Sequence, residues 1–510
     1  MDDRPRLSRE RVASLALEKN GALELPQPNM LGLPERLVQF GTGAFLRGFA
    51  DCFIDEANRA GRFNGSIVAV ASTASRRDSV LNGQDGLYTL AIQGMEGNAP
   101  RQRYRVIGSV SRALSARDEW DAVLAVARDP AVRIVVSNTS EVGIRLDDAD
   151  RSDARPPKSY PAKLTRFLAE RATSVDYDAR HSIIVLPCEL IERNGDALRA
   201  AVCAQTRRWQ LDARFERWLG GAVTFCNTLV DRIVPGPLPP PELARLERIF
   251  GYRDGLATSC EPYALFAIEG DASLRDRLEF PGDDSRIVVA PDIRPYRERK
   301  VRVLNGAHTI LVPAAMLCGL ETVRDAVMND RLGRFLRRAV FDEIVPSVGV
   351  PDAEPFARQV MERFANPYIR HALIDISLHG TAKLRVRVVP SILAYAERTR
   401  RPPAALAFGF AAYIAFMRGE LQMERRAAGL PVPDDAEGER VRSAWLGIDP
   451  RSDASVAKLA RAVSADSTLW GADLSSVAGF GDVVAEHLVR IVRHGIRPAL
   501  DTHLAEPATT

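Results

Sequence analysis

Residues 36–49 read RLVQFGTGAFLRGF: an apolar run, a glycine pair, and then residues that alternate as a helix does. Gly41 and Gly43 stand where a tight turn brings backbone N–H groups against a pyrophosphate at a helix start. The dinucleotide fingerprint asks for a third glycine at position 46, which is Leu46, while Gly48 comes two residues late. Its place between a strand-like run and the helical AFLRGFADCFIDEA favours a dinucleotide site over an ordinary turn.

Working outward, the same pattern recurs. SIVAVA precedes STASRR, RIVVS precedes NTSE, SIIVL precedes PCELIERNGD, AVTFC precedes NTLVDR, and RIVVA precedes PDIRPYRERK. Short β-branched runs spaced by helix-length segments predict buried parallel strands. In open α/β sheets ligands bind beyond the carboxyl ends of the strands, where each of these polar clusters falls. The end of the second strand, where an acid would hold the ribose hydroxyls of NAD, carries Ser72, Thr73, Ser75, Arg76 and Arg77 and no acid. Taken alone, that chemistry leans toward the 2′-phosphate of NADP.

After about Asp292 the character changes to Ala/Leu/Arg-rich segments of helical period, such as DRLGRFLRRAVFDEIV, PFARQVMERFA and FGDVVAEHLVRIVRHG. The expected fold is α/β: a Rossmann-type amino-terminal domain over 1–292, then a mostly α-helical carboxyl-terminal domain over 293–510. PGPLPPPEL and RSDARPPKSYP read as surface excursions, and the tail from about Asp501 reads as disordered.

Lys+Arg 69 against Asp+Glu 66 is too even a balance to imply a nucleic-acid or membrane-surface partner. The apolar run Ala404–Met417 is shorter than the roughly 20 residues that cross a bilayer and reads as a buried helix. The start, MDDRPRLSRE, lacks an apolar signal core, so a cytoplasmic location is expected. Six scattered cysteines without CxxC spacing suggest neither a disulfide framework nor a thiolate metal site. A monomer or small homo-oligomer is expected.

The stretch KVRVLNGAHTILVPAAM, 300–316, sets three polar side chains ahead of an apolar run. At ~100° per residue, Lys300, Asn305 and His308 fall within an arc of about 140°. Hydride removal from a secondary alcohol needs a group that takes the hydroxyl proton, and an uncharged lysine amine does so. Arg297, Arg299 and Arg302 crowd Lys300 in sequence and favour that form, against Glu298. Asn305 can donate to the reacting oxygen, and His308 can orient the substrate. A basic first helical turn with a core histidine is the plainer alternative.

In KLRVRVVP, Lys383, Arg385 and Arg387 alternate with apolar residues. If extended, they share one face that suits the carboxylate of a sugar acid, or else a solvated strand face. His371, Asp375 and His379 stand at i, i+4 and i+8, but drift over two turns weakens a zinc reading, and no metal is expected.

These segments together resemble the polyol-specific long-chain dehydrogenase/reductase family, which contains mannitol dehydrogenases and hexuronate reductases. FGTGAFLRGF, SNTSEVGI, LVDRIVP, KVRVLNGAH and RFANPYI carry the resemblance, in family order over about residues 36–420. PCELIERNGDAL, YRERKVRVLNGAHT and KLRVRVVPS are most similar to the tagaturonate-reducing branch. The resemblance implies reversible oxidation of D-altronate to D-tagaturonate with NAD and without metal. It makes Lys300 the general acid/base, with Asn305 and His308 as its companions. Gly41, Gly43, Phe45 and Arg47 match the cofactor loop, Asn138 and Glu141 the segment on the nicotinamide side, and Asp231 a residue that helps position the reacting group. One departure is plain: where mannitol dehydrogenases carry a second oxyanion asparagine after a CD pair, this chain reads CEL and places Leu190 there. Mannitol dehydrogenase activity, fructuronate reductase activity, or a catalytically silent nucleotide-binding protein remain the alternatives.

Overall fold

The computed structural model describes residues 4–18, 22–72, 76–97, 99–139, 143–432 and 434–506. The chain divides into two compact units, Met1–Gly94 with Arg101–Ile293, and Met95–Pro100 with Arg294–Thr510.

The first unit is built on a six-stranded sheet: β1 (Glu35–Phe40), β2 (Ser66–Ala71), β3 (Val110–Ser115), β4 (Ile134–Ser137), β5 (Ile183–Pro187) and β6 (Val223–Phe225). In space they run β3-β2-β1-β4-β5-β6, all parallel. This is the doubly wound dinucleotide-binding order, and it reverses between β1 and β4. Period-two alternation explains why these runs are continuously apolar. Leu37, Ile67, Ile134 and Ile184 enter one core, while Val38, Val68, Val135 and Val185 enter the core on the opposite face. Each such side chain contributes about 1.5–3 kcal/mol by burial.

Five of the expected runs lie in this sheet. The sixth, RIVVA, instead forms Ile287–Ala290 in a separate three-stranded sheet beside Leu265–Glu269 and Thr228–Asp231. A further five-stranded sheet includes the long strands Tyr88–Glu96 and Ala99–Ile107. PGPLPPPEL is more than an excursion: Gly236–Pro237 pairs with Thr258–Cys260, and Pro240 opens the helix Pro240–Phe250. Proline fits there because the first helical N–H has no partner to lose.

The second unit is helical. Ala404–Phe416, apolar all round, packs against Gly306–Leu317, Phe480–His494 and Ile496–Ala505. No single helix among the described residues is long and apolar enough to cross a membrane. Pro403 gives this buried helix no side-chain cap. Glu343 supplies one from elsewhere, its carboxylate accepting the N–H groups of Ala405 and Leu406 at 2.7 Å each. Burial pushes that carboxyl up to about 8 despite the two donors. The tail departs from expectation, since 496–505 is helical and buries His503 and Leu504. All six cysteines are free thiols.

Candidate functional site

In the first unit, β1 runs into a turn at Gly41, whose φ of +130° disfavours any side chain. A Cβ there would stand 3.1 Å from Leu46 Cδ1 and 3.3 Å from the Asn138 carbonyl. The Gly41 N–H donates to the Val70 carbonyl at 2.9 Å, tying the turn to the end of β2. Gly43 begins the short helix Ala44–Gly48, and a Cβ on it would meet nothing within 4 Å. Bare backbone beside open space at the strand-order reversal fits a dinucleotide pyrophosphate. Gly48 allows a close approach at the end of this helix: a Cβ there would lie 3.0 Å from both methyls of Val234, in the loop after Thr228–Asp231.

Arg47 lies beneath the turn. Its guanidinium is buried and donates to the Thr42 carbonyl at 2.6 Å, so it braces the loop from inside. Tyr88 donates to the Arg47 carbonyl at 2.8 Å and lies 3.0 Å from Asp51 Oδ2, and burial pushes the Asp51 carboxyl up to about 7. Phe45 stacks on Phe49 at 5.0 Å. Asn138 follows β4, and buried Asp231 ends Thr228–Asp231. Glu141, Thr73 and Ser75 lie outside the described residues; Ser72, Arg76 and Arg77 are exposed. Leu190 is 69% exposed.

The RNGD stretch after β5 is a structural hub. Asn194 accepts the Thr228 N–H at 2.8 Å and donates to the Pro187 carbonyl at 2.8 Å. A Cβ on Gly195 would stand 2.4 Å from the Cys226 carbonyl. Gly195→Ala is therefore expected to cost about 3 kcal/mol through forced backbone movement, read as a lower urea midpoint.

In the second unit, Lys300, Asn305 and His308 lie along one helical rod, in which α-helix Arg294–Arg299 is followed by a π-helix, Lys300–Asn305, and an α-helix, Gly306–Leu317. The Gly306 N–H reaches back five residues to the Val301 carbonyl, the π pattern. The π turn is wider than an α turn, so Lys300 and Asn305, five residues apart, align more closely than a uniform α-helix would allow. The expected crowd of arginines is dispersed. Arg302 is buried and clamps Ser391 Oγ at 3.0 Å and Ser347 Oγ at 2.9 Å, while Arg299 lies over the rings of Tyr296 and Phe356.

His308 stacks on Phe364 at 4.0 Å and meets His371 edge-on at 4.9 Å. Burial, with the charges of His371, Arg363, Arg387 and Lys383, pushes its imidazole well below the ordinary value. Phe364 lies in the RFANPYI motif, and its ring against His308 was not foreseen. KLRVRVVP is helical, not extended: Gly380–Arg387 is an α-helix. Lys383 and Arg387, four apart, therefore share a face, and Arg385 turns away to Glu437 Oε2 at 2.7 Å. This helix meets the rod at Gly306, where a Cβ would stand 3.0 Å from the Arg387 carbonyl. Its start is pinned by buried Asp435, which accepts from the Thr381 N–H at 2.8 Å and the Tyr413 hydroxyl at 3.1 Å. Lys383 donates to the Ile376 carbonyl at 2.7 Å, and burial lowers it and Arg387 from their ordinary values. His371, Asp375 and His379 do not share a helix, which spans only Leu373–Ser377, and no metal-holding cluster occurs among the described residues.

A family model for the mannitol dehydrogenase Rossmann domain matches residues 35–282, and one for the mannitol dehydrogenase C-terminal domain matches 292–492. An altronate oxidoreductase of Yersinia pestis is 41% identical over 472 residues, covering 92% of this chain and 96% of its own. An altronate oxidoreductase of Klebsiella pneumoniae is 43% identical with the same coverage. Among solved structures, the mannitol 2-dehydrogenase of Pseudomonas fluorescens, in ternary complex with NAD and D-mannitol, has a TM-score of 0.69 at 22% identity over 98% of this chain and 100% of that one. A substrate-free D-sorbitol dehydrogenase gives 0.78 at 22% identity, covering 97% and 100%. With both halves matched in order and relatives similar along nearly their whole length, the chain belongs to the mannitol dehydrogenase family and is an oxidoreductase acting on a CH–OH group.

Proposed function

We propose that the protein is a hexuronate reductase that interconverts D-altronate and D-tagaturonate with NAD. The observation that carries this reading is the cationic setting of His308, with Lys383 and Arg387 on one helix face and Arg363 nearby. A carboxylate-bearing sugar matches that field, and a neutral polyol does not. The relatives called altronate oxidoreductase support it.

Nicotinamide supplies the hydride acceptor when bound at the glycine turn. Gly41 and Gly43 present bare backbone to the pyrophosphate, with Phe45, Arg47, Asn138, Glu141 and Asp231 as the remaining cofactor-side residues. Lys300 takes the hydroxyl proton as the C–H bond yields its hydride and the carbonyl forms; in reduction the proton returns from it. Asn305 donates to the reacting oxygen, alone in that role because Leu190 replaces the second asparagine. His308, kept neutral, holds a sugar hydroxyl. Lys383 and Arg387 hold the carboxylate.

Following absorbance with altronate, mannonate and mannitol, each with NAD and with NADP, tests the proposal. Altronate with NAD is expected to give the highest kcat/KM; mannonate or mannitol in first place would overturn the assignment. Arg387→Ala is expected to raise KM for altronate about tenfold or more, as a lost charge-assisted hydrogen bond does, with a much smaller change for any neutral polyol turned over.

A further inference from the structure

Beyond the glycine turn, the first unit holds a buried carboxylate with no part in the proton chemistry above. Glu189, 2% exposed, follows β5. Its Oε2 accepts from the Ser137 hydroxyl at 3.1 Å, and its Oε1 accepts from the Thr139 N–H at 2.9 Å and the Thr139 hydroxyl at 3.0 Å. Between those two residues, the Asn138 amide nitrogen donates to the Cys188 carbonyl at 2.8 Å. The Cys188 N–H donates to the Ser137 carbonyl at 2.7 Å, so the β4–β5 ladder already reaches the strand ends without a carboxylate. A buried carboxylate is costly unless its hydrogen bonds are made, and among the described residues those it accepts from other residues come from Ser137 and Thr139, at the ends of the turn 137–139.

In a doubly wound sheet, β1–β3 and β4–β6 are two mononucleotide-binding halves on either side of the reversal. The adenosine ribose is read at the end of β2, which leaves the ends of β4 and β5 to the nicotinamide half. We propose that Glu189 is a positioning residue for the nicotinamide half of the dinucleotide. It fixes the turn so that Asn138, its nitrogen committed to Cys188, offers Oδ1 to a ligand donor. The matching donors on the ligand are a hydroxyl of the nicotinamide ribose and the carboxamide NH2. This rests on the dinucleotide reading of the first unit.

The test compares NADH with ADP-ribose, which lacks the nicotinamide ring, by fluorescence and calorimetric titration of Glu189→Ala and Glu189→Gln. ADP-ribose affinity is expected to stay within about twofold of the parent, while NADH weakens roughly tenfold and kcat falls at unchanged KM for the sugar acid. Glu189→Asp is expected to recover part of the loss. Equal weakening of both ligands, or no weakening of either, overturns the assignment. If Glu189→Ala does not fold, Glu189→Gln, nearly equal in volume, carries the comparison. A parent protein that binds neither ligand would instead overturn the dinucleotide reading itself.

Discussion

Lys300→Ala is expected to lower kcat for altronate oxidation about 10³-fold, within the 10²–10⁴ range of general acid–base catalysis, while NADH affinity changes little. The residue opens the π-helical segment, its side chain half-buried, and the rest of the rod packs through Val303, Leu304 and Ala307. An alanine there removes the amine without disturbing that packing. Loss confined to a transition-state interaction lowers kcat and kcat/KM together. A small primary amine added to the buffer is expected to restore part of the turnover, and Lys300→Arg is not, because guanidinium does not give up its proton near neutrality. A Lys300→Ala enzyme that retains more than a tenth of parental kcat would remove Lys300 from proton transfer. A parent with no turnover on any sugar acid, yet binding NADH, would point to the catalytically silent alternative.

The second large effect concerns acid stability. His487 and His503, 2% and 3% exposed, meet edge-on at 5.2 Å within the second unit, and both rings lie against Phe408. Burial, the neighbouring imidazole and Arg490 push His487 down to about 3. Burial and Arg338 push His503 down to about 4. Both folded values lie below the ordinary 6.5, so the neutral rings contribute their full stability above pH 6.5. As pH falls through 6.5, the unfolded chain takes up two protons that the folded chain refuses. Stability then drops by about 1.4 kcal/mol per histidine per pH unit, or about 5 kcal/mol for the pair by pH 4.5. His308 acts in the same direction. Set against typical stabilities of roughly 5–15 kcal/mol, this is enough to unfold a marginal unit. Urea midpoints between pH 7 and 4.5 are expected to fall steeply in the parent and less steeply in His487→Leu/His503→Leu. Equal slopes would show that other groups govern the acid transition.

The parallel sheet was legible because its signal is local: a β-branched run buried on both faces needs no knowledge of its neighbours. The turn at Gly41 was legible for the same reason. KLRVRVVP was misread because five residues of alternating charge fit a strand face and a helix equally well. What decides it is distant: Asp435 and Tyr413 pin Thr381 at the helix start. Glu189 and Glu343 were invisible in their roles, since both act on backbone amides that only the folded chain brings near. A chain end reads as disordered from its position alone, but Phe408 and Phe335 give His503 a place to bury. Arg302 and Arg299 show the same limit, as sequence adjacency to Lys300 does not fix where a long side chain points.

The wide helical turn at Lys300–Asn305 bears on how this segment can change. The wider turn brings the lysine and the asparagine, five residues apart, nearer to alignment, and the α-helix after it carries the histidine three residues further on. Swapping the side chains between them alters packing alone. Removing a single residue would let the backbone relax to the narrower coil and swing everything downstream by about a quarter turn or more relative to the amine. Substitution is therefore tolerable in this stretch where deletion is not: its length is part of its chemistry.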